Sequence, residues 1–313
     1  MQILFELRYP TKWYTKLFMA LLAIVFFAVL ASTAISGFLV YRIVKPQKST
    51  SEISMASFPG RPDEVTFEVP NGLGTREGWF FPGLRGAPTI ILCHGYGSSR
   101  GELLTIVSTL QDHQFNVFVF DFAAHGSNMG ITTLGYREVE ELEAAMNTVA
   151  QRNDVDPGRF GLWGYNLGAY VALREAEHDK RVKALILDSV YDTPTQLVKV
   201  GVQRNGLGTM PLMVRAAEQS FEWLNYQHKN DEPLTKNLKS IAGVPTLWIE
   251  AADDPELASI TKQMYQKAPE PKEEVVVSHG DFAQMADDDK RLYENRVLSY
   301  FLSKLPTTGQ ATR

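Results

Sequence analysis

The stretch Phe160–Tyr170, FGLWGYNLGAY, limits the folds open to this chain more than any other. An apolar run (Phe160, Leu162, Trp163) stops at Gly164, a G-x-N-x-G turn follows, and a helical run starts near Leu167. Neither Gly164 nor Gly168 carries a side chain, so a strand and the helix after it can approach closely. The middle residue, Asn166, is then thrust out at the top of the strand. A chain with this turn needs a buried strand feeding directly into a helix N-terminus.

The surrounding sequence supplies the rest of such a sheet. Val65, Phe67 and Val69 alternate before a Pro70–Asn71–Gly72 turn, and Glu77–Phe81 reads as the return strand of a hairpin. From Thr89 the pattern becomes strand–helix–strand. Strands are expected at Thr89–Cys93, a buried-type run, and at Val117–Phe120, Phe160–Trp163, Val182–Leu187, Val244–Ile249 and Glu274–Val277. Between and after them, helices are expected near 102–110, 135–150, 167–177, 257–266 and 293–302. The acids of the second of these (Glu138, Glu140, Glu141, Glu143) read mostly as a solvated face. Repeated units of this kind specify an α/β fold, a doubly wound, mostly parallel sheet with helices on both faces. More than fifty residues separate Leu187 from Val244. Within them Pro211 can start a helix whose Met213, Ala217, Phe221 and Leu224 share one face. The segment, about 191–243, reads either as a helical insertion over the top of the sheet or as an ordinary crossover helix with a long loop.

Leu17–Tyr41 is a run of 25 residues without a charge. As a helix it extends roughly 37 Å, enough to cross a ~30 Å hydrocarbon core with some tilt. Trp13, Tyr14 and Tyr41 flank it, where amphipathic rings favour the interface. A cleaved signal peptide is the competing reading, with Val29–Leu30–Ala31 as the cleavage site, but the apolar run continues past it, which favours an anchor. The expected organisation is an N-terminal arm (1–16), a single-pass anchor (17–41), a Ser/Pro-rich linker (42–62), a main domain (63–304) and a disordered tail (305–313). Lys/Arg flank both ends of the span, so charge does not orient it. A short arm before a first span often stays inside, and the main domain is expected on the extracytoplasmic side.

Charge narrows the partners. Residues 1–50 hold six Lys/Arg and one acid, leaving 25 basic and 35 acidic residues for the remainder. An acidic main domain argues against a nucleic-acid partner. The single cysteine, Cys93, excludes an intrachain disulfide and reads as a small buried apolar residue. The six histidines lack H-E-x-x-H spacing, and no Walker or G-x-G-x-x-G loop follows a strand, so no metal and no cofactor are expected.

Five stretches, taken together and in order, resemble the α/β-hydrolase superfamily from about Val65 to Leu302. HGYG (94–97) resembles its oxyanion loop, and DFAAHGSNMG (121–130) its D-x-x-G-H-G-x-S-x-G turn, with Ala124 and Asn128 as departures. VDPGRFGLWGYNLGA (155–169) resembles its nucleophile elbow, G-x-S-x-G. AADDP (251–255) is similar to its acid loop and SHGDF (278–282) to its histidine loop. The resemblance implies a triad in which a nucleophile attacks a carbonyl, His279 takes its proton and an aspartate orients the imidazole. Asp254 aligns best as that acid, with Asp253 as competitor. The backbone N–H groups of Tyr96 and Leu167 would form the oxyanion hole. His125 reads as structural.

The nucleophile position holds asparagine. An amide has no hydroxyl to deprotonate, and losing a triad nucleophile costs on the order of 10⁶-fold in kcat. Three readings stay open: a pseudo-hydrolase that binds a ligand or partner; an active hydrolase using water activated by His279 or an aspartate derived from Asn166; and a serine elsewhere, Ser98, Ser99 or Ser189. A non-enzymatic membrane scaffold is a separate possibility. The resemblance implies an ester, thioester or peptide bond, hence a small acyl ligand, and the anchor makes a lipid-like one an expectation.

Overall fold

The computed structural model describes residues 12–47, 61–280, 282 and 285–307. Most of the linker and tail, and Asp281 of the histidine loop, lie outside the described residues. The strands are β1 (Asp63–Val69), β2 (Gly74–Phe81), β3 (Thr89–Cys93), β4 (Asn116–Phe120), β5 (Phe160–Tyr165), β6 (Val182–Asp188), β7 (Thr246–Ala251) and β8 (Lys272–Val277). The helices are α1 (Trp13–Val44), α2 (Leu104–Asp112), α3 (Glu138–Val149), α4 (Leu167–Ala176), α5 (Pro194–Val202), α6 (Pro211–Leu224), α7 (Leu234–Asn237), α8 (Pro255–Lys267) and α9 (Asp287–Lys304).

All eight strands join one sheet in the order β1-β2-β4-β3-β5-β6-β7-β8. The β1–β2 hairpin is antiparallel, β2 meets β4 antiparallel, and every pair from β4 to β8 is parallel. β3, β4 and β7 are buried along their whole length, as strands covered on both faces must be. On one face Ile90, Leu92, Val117, Val119 and Ile186 pack with apolar side chains of α2 and α9, among them Val107, Val297 and Phe301. α3 and α4 pack on each other, α3 also against β1 and α4 against β3, β5 and β6. The doubly wound expectation holds.

The acids of α3 require a correction. Glu138 and Glu141 are buried, not solvated. Glu141 receives Arg76 of β2 through two hydrogen bonds, Nε at 2.9 Å and Nη2 at 3.0 Å, and also accepts the Ala123 N–H at 3.0 Å. Glu138 accepts from the backbone N–H groups of Thr133 and Gly135 and from both threonine hydroxyls, Thr132 and Thr133. The two carboxylates therefore fix the loop that leads from β4 into α3. That also explains why the helix begins at Glu138, three residues later than expected.

The region between β6 and β7 is built from α5, a π-turn (Gln203–Leu207), α6, α7 and two short 3₁₀ turns rather than one crossover helix. The chain divides into two compact units. One comprises the described residues up to Ile43 with Val198–Tyr226, the other Val44–Leu197 with Gln227 onward. In the smaller unit, α1 is long and apolar enough to cross a membrane by length and composition, properties that a signal sequence also shares. Its large side chains from Trp13 to Phe38 are exposed.

Candidate active site

The strand β5 ends at Tyr165 and α4 begins at Leu167, leaving Asn166 alone at the corner with φ 52° and ψ −106°. That conformation is strained for a residue with a side chain, and asparagine tolerates positive φ better than most. The glycines on either side are required by contact. A Cβ on Gly168 would lie 2.0 Å from the Cys93 carbonyl oxygen, and one on Gly164 would lie 2.3 Å from the Gly168 carbonyl. The Asn166 N–H donates to the Asp188 carbonyl at 2.8 Å, tying the corner to the end of β6. Its side chain is 4 % exposed, and its Oδ1 has no hydrogen-bond partner among the described residues.

β3 and β5 run parallel with Cys93 opposite Gly164. Tyr96 and Leu167, the expected oxyanion donors, each follow that pair by three residues, beyond the ends of these neighbouring strands. Leu167 is the first residue of α4, where an N–H has no acceptor within its own helix. The HGYG loop is held against the elbow, since a Cβ on Gly95 would lie 2.3 Å from the Tyr165 ring. His94 anchors this loop from below: its Nδ1–H donates to the Gly95 carbonyl at 2.9 Å, and its Nε2 accepts the Phe122 N–H at 3.0 Å. Burial lowers its pKa to about 4, which keeps the ring neutral, as this pair of bonds requires. Burial likewise pushes the Cys93 thiol up, so it is no nucleophile.

The loop after β4 accounts for its departures from the family pattern. Ala124 sits at φ 63°, a conformation that a glycine adopts without strain. Asn128 donates from Nδ2 to the Asp121 carbonyl at 2.6 Å, closing the turn. His125 is buried, its Nδ1 bonded to the Ala123 carbonyl at 2.8 Å, and burial lowers its pKa to about 4.

The histidine loop brings a second correction. His279 Nδ1 lies 3.3 Å from Asp253 Oδ2, and the other Asp253 oxygen accepts the Gly280 N–H at 2.9 Å. Asp254, the expected partner, is instead the N-cap of α8, accepting the Leu257 N–H at 3.2 Å. The sequence contains the signal for this: Pro255 is pre-set for the first helical position, which leaves the aspartate before it at the cap. His279 is about half exposed and lines a cavity of about 260 Å³ between β8 and α9, together with Ser278, Tyr293 and Arg296. Asn166 is not among the residues lining it, and no hydrogen bond joins His279 to Asn166 among the described residues.

A buried network at the end of β6 was not anticipated. Trp163 Nε1–H donates to the Tyr293 hydroxyl at 3.0 Å, which donates to Asp188 Oδ2 at 2.6 Å, while Ser189 donates to Asp188 Oδ1 at 2.8 Å. Asp188 is fully buried, and desolvation raises its pKa to about 7. Ser189, one of the serines considered as a substitute nucleophile, is thus bonded to a carboxylate rather than a histidine, and Ser98 donates to Glu102. Tyr293 lies 105 residues from Asp188 and 130 from Trp163, so spacing alone gave no sign of the network.

The family model described as alpha/beta hydrolase fold matches residues 88–216. Uncharacterized protein YfhR of Escherichia coli strain K12 is 26 % identical over 257 residues, covering 79 % of this chain and 83 % of that one. Uncharacterized protein Rv2307c of Mycobacterium tuberculosis is 25 % identical over 255 residues, 79 % and 81 % of the two chains. Among solved structures, the Pyrococcus furiosus esterase Pf2001 superposes with a TM-score of 0.65 at 20 % identity, over 84 % of this chain and 98 % of that one. The matched sequence, the strand order and the corner at Asn166 agree: this chain is an α/β-hydrolase-fold protein.

Proposed function

We propose that this protein is a membrane-anchored pseudo-hydrolase, which binds an acyl or lipid-like ligand at a site inherited from ester or amide hydrolases and does not turn it over rapidly. One observation carries the reading. The elbow conformation is kept at Asn166, φ 52° and ψ −106°, while the residue there has no hydroxyl. The backbone donors of such a site do not depend on that side chain, so binding survives where nucleophilic catalysis does not. The esterase named among the structural neighbours supports an acyl ligand. The apolar, exposed α1 supports anchoring through residues 17–41; the main domain is read as extracytoplasmic from the short arm before the span.

The test is a binding and turnover pair on the full chain in detergent. A p-nitrophenyl acyl ester series should raise the melting temperature saturably, as a ligand selective for the folded state must. No burst of nitrophenolate should accompany it. A stoichiometric burst contradicts the reading.

A second reading is favoured by one feature. His279 Nδ1 is engaged by Asp253 and its ring is half exposed, so its other nitrogen can activate water. Slow ester hydrolysis by wild type that disappears in His279→Ala supports this route, and an aspartate at position 166 in the peptide mass spectrum supports the deamidation variant of it.

A further inference from the structure

The smaller unit joins α1 to the 198–226 segment through side chains. Ser36 Oγ lies 3.3 Å from Ser220 Oγ, Ser32 Oγ lies 3.6 Å from Met213 Sδ, and a Cβ on Gly201 would lie 3.1 Å from Ile43. α6 therefore crosses α1 near Ser32–Ser36. If hydrocarbon begins at Leu17, after Lys16, a ~30 Å core accommodates about twenty helical residues and ends near Ser36. On that placement the crossing point lies at the far edge of the hydrocarbon, within the last turns of the 17–41 span.

α6 has three sides. Met213, Val214, Ala217 and Phe221 are buried. Met213 and Ser220, on one flank, contact α1. The outward stripe, at i, i+4, i+7 and i+11, is Leu212, Ala216, Gln219 and Trp223, with Leu212 72 % and Trp223 80 % exposed. Met210 and Tyr226 extend exposed apolar surface at both ends of the helix. Arg215 and Glu222 border the stripe on the side away from α1. An exposed leucine and tryptophan on one stripe are costly in water, and a tryptophan of this kind favours the headgroup region of a bilayer.

From this geometry we infer that α6 lies in the membrane interface, with Leu212 and Trp223 inserted among lipid headgroups and upper acyl chains beside the exit point of α1. The bilayer is the occupant because the stripe adjoins the flank of α6 that touches α1, whose own apolar side chains from Trp13 to Phe38 are exposed and which, on the anchoring reading, crosses it. The inference rests on the anchoring reading. It adds a second, in-plane contact, an amphipathic interfacial helix of the kind that binds by buried apolar area.

The test uses the full chain in nanodiscs made with ordinary or 6,7-dibromo acyl lipids, comparing wild type with Trp223→Phe and Trp13→Phe. Bromine quenches only tryptophans at its own depth, and an exposed Trp→Phe change leaves packing intact. The emission lost in Trp223→Phe should be quenched by about half or more in brominated discs. The emission lost in Trp13→Phe reports α1 independently. If Trp13 is quenched and Trp223 is not, the interfacial helix is wrong while anchoring stands. If neither is quenched and alkaline carbonate releases the protein from membranes, anchoring fails and the inference falls with it. If the Trp223 emission is shielded from bromine and from aqueous iodide only in discs holding two copies, a second copy covers the stripe and the inference is overturned.

Discussion

His279 Nδ1 lies 3.3 Å from Asp253 Oδ2, while the neighbouring Asp254 turns away to cap α8. The two aspartates thus have separable roles. In an Asn166→Ser background, Asp253→Asn should lower any gained esterase rate by on the order of 10³–10⁴-fold, as loss of the orienting carboxylate does in related triads. Asp254→Ala should leave that rate within a few-fold and cost about 1 kcal/mol of stability through the lost cap. Steady-state ester kinetics and urea unfolding of the two double variants check both halves.

Asp188 gives a pH dependence of definite sign. Burial raises its folded pKa to about 7 from an ordinary 3.8. The folded state keeps a proton that the unfolded chain has already released, so stability from this group is full below about pH 3.8 and is lost as pH rises through about 7. Over that window the change is on the order of 4 kcal/mol, at 1.36 kcal/mol per unit. Asp188→Asn cannot ionise, and the difference in unfolding free energy between wild type and variant should drift by that order between pH 4 and 8. A pH-independent difference contradicts the buried, protonated carboxyl.

The Arg76–Glu141 pair joins β2 to α3 with side chains almost wholly buried. Arg76→Met should cost about 3–5 kcal/mol near pH 8, because it leaves a buried carboxylate without its cation. The cost should shrink toward pH 5, where the unpaired Glu141 takes up a proton. Adding Glu141→Leu should recover only part of the loss, because the Ala123 N–H then loses its acceptor as well. Urea unfolding of the three variants at both pH values measures this.

Gly168→Ala tests the corner itself. Its Cβ would meet backbone, the Cys93 carbonyl oxygen at 2.0 Å, which no rotamer change relieves. A loss of more than about 3 kcal/mol is expected, near the upper end for overpacking. A thermal melt within a degree or two of wild type would mean that α4 and β3 do not approach this closely.

What the sequence revealed follows from how far each feature reaches. Most of the parallel strands were legible because they carry apolar runs ending at a turn, as in Ile90–Cys93 and Val117–Phe120, and the elbow because both of its glycines fall within five residues. The roles of Asp253 and Asp254 were open because the two are adjacent and only the direction of the chain after β7 separates them, although Pro255 hinted at the cap. Glu138 and Glu141 look like ordinary helix acids because their partners, Arg76 and the loop near Thr133, are set by tertiary packing. The Trp163–Tyr293–Asp188 network was invisible for the same reason. α6 was expected as a helix from Pro211, but the side it turns toward α1 depends on contacts with Ser32 and Ser36, which no local periodicity encodes.

The central proposal is that the chain keeps the elbow corner, the HGYG loop and the His279–Asp253 pair of a hydrolase site and lacks its oxygen nucleophile. The direct measurement is covalent labelling of purified full-length wild type and Asn166→Ser by a fluorophosphonate, with the labelled residue located by peptide mass spectrometry. The account predicts no label on wild type and label at position 166 in the variant. Label on a serine of wild type, or a folded Asn166→Ser protein that stays unlabelled, would contradict it.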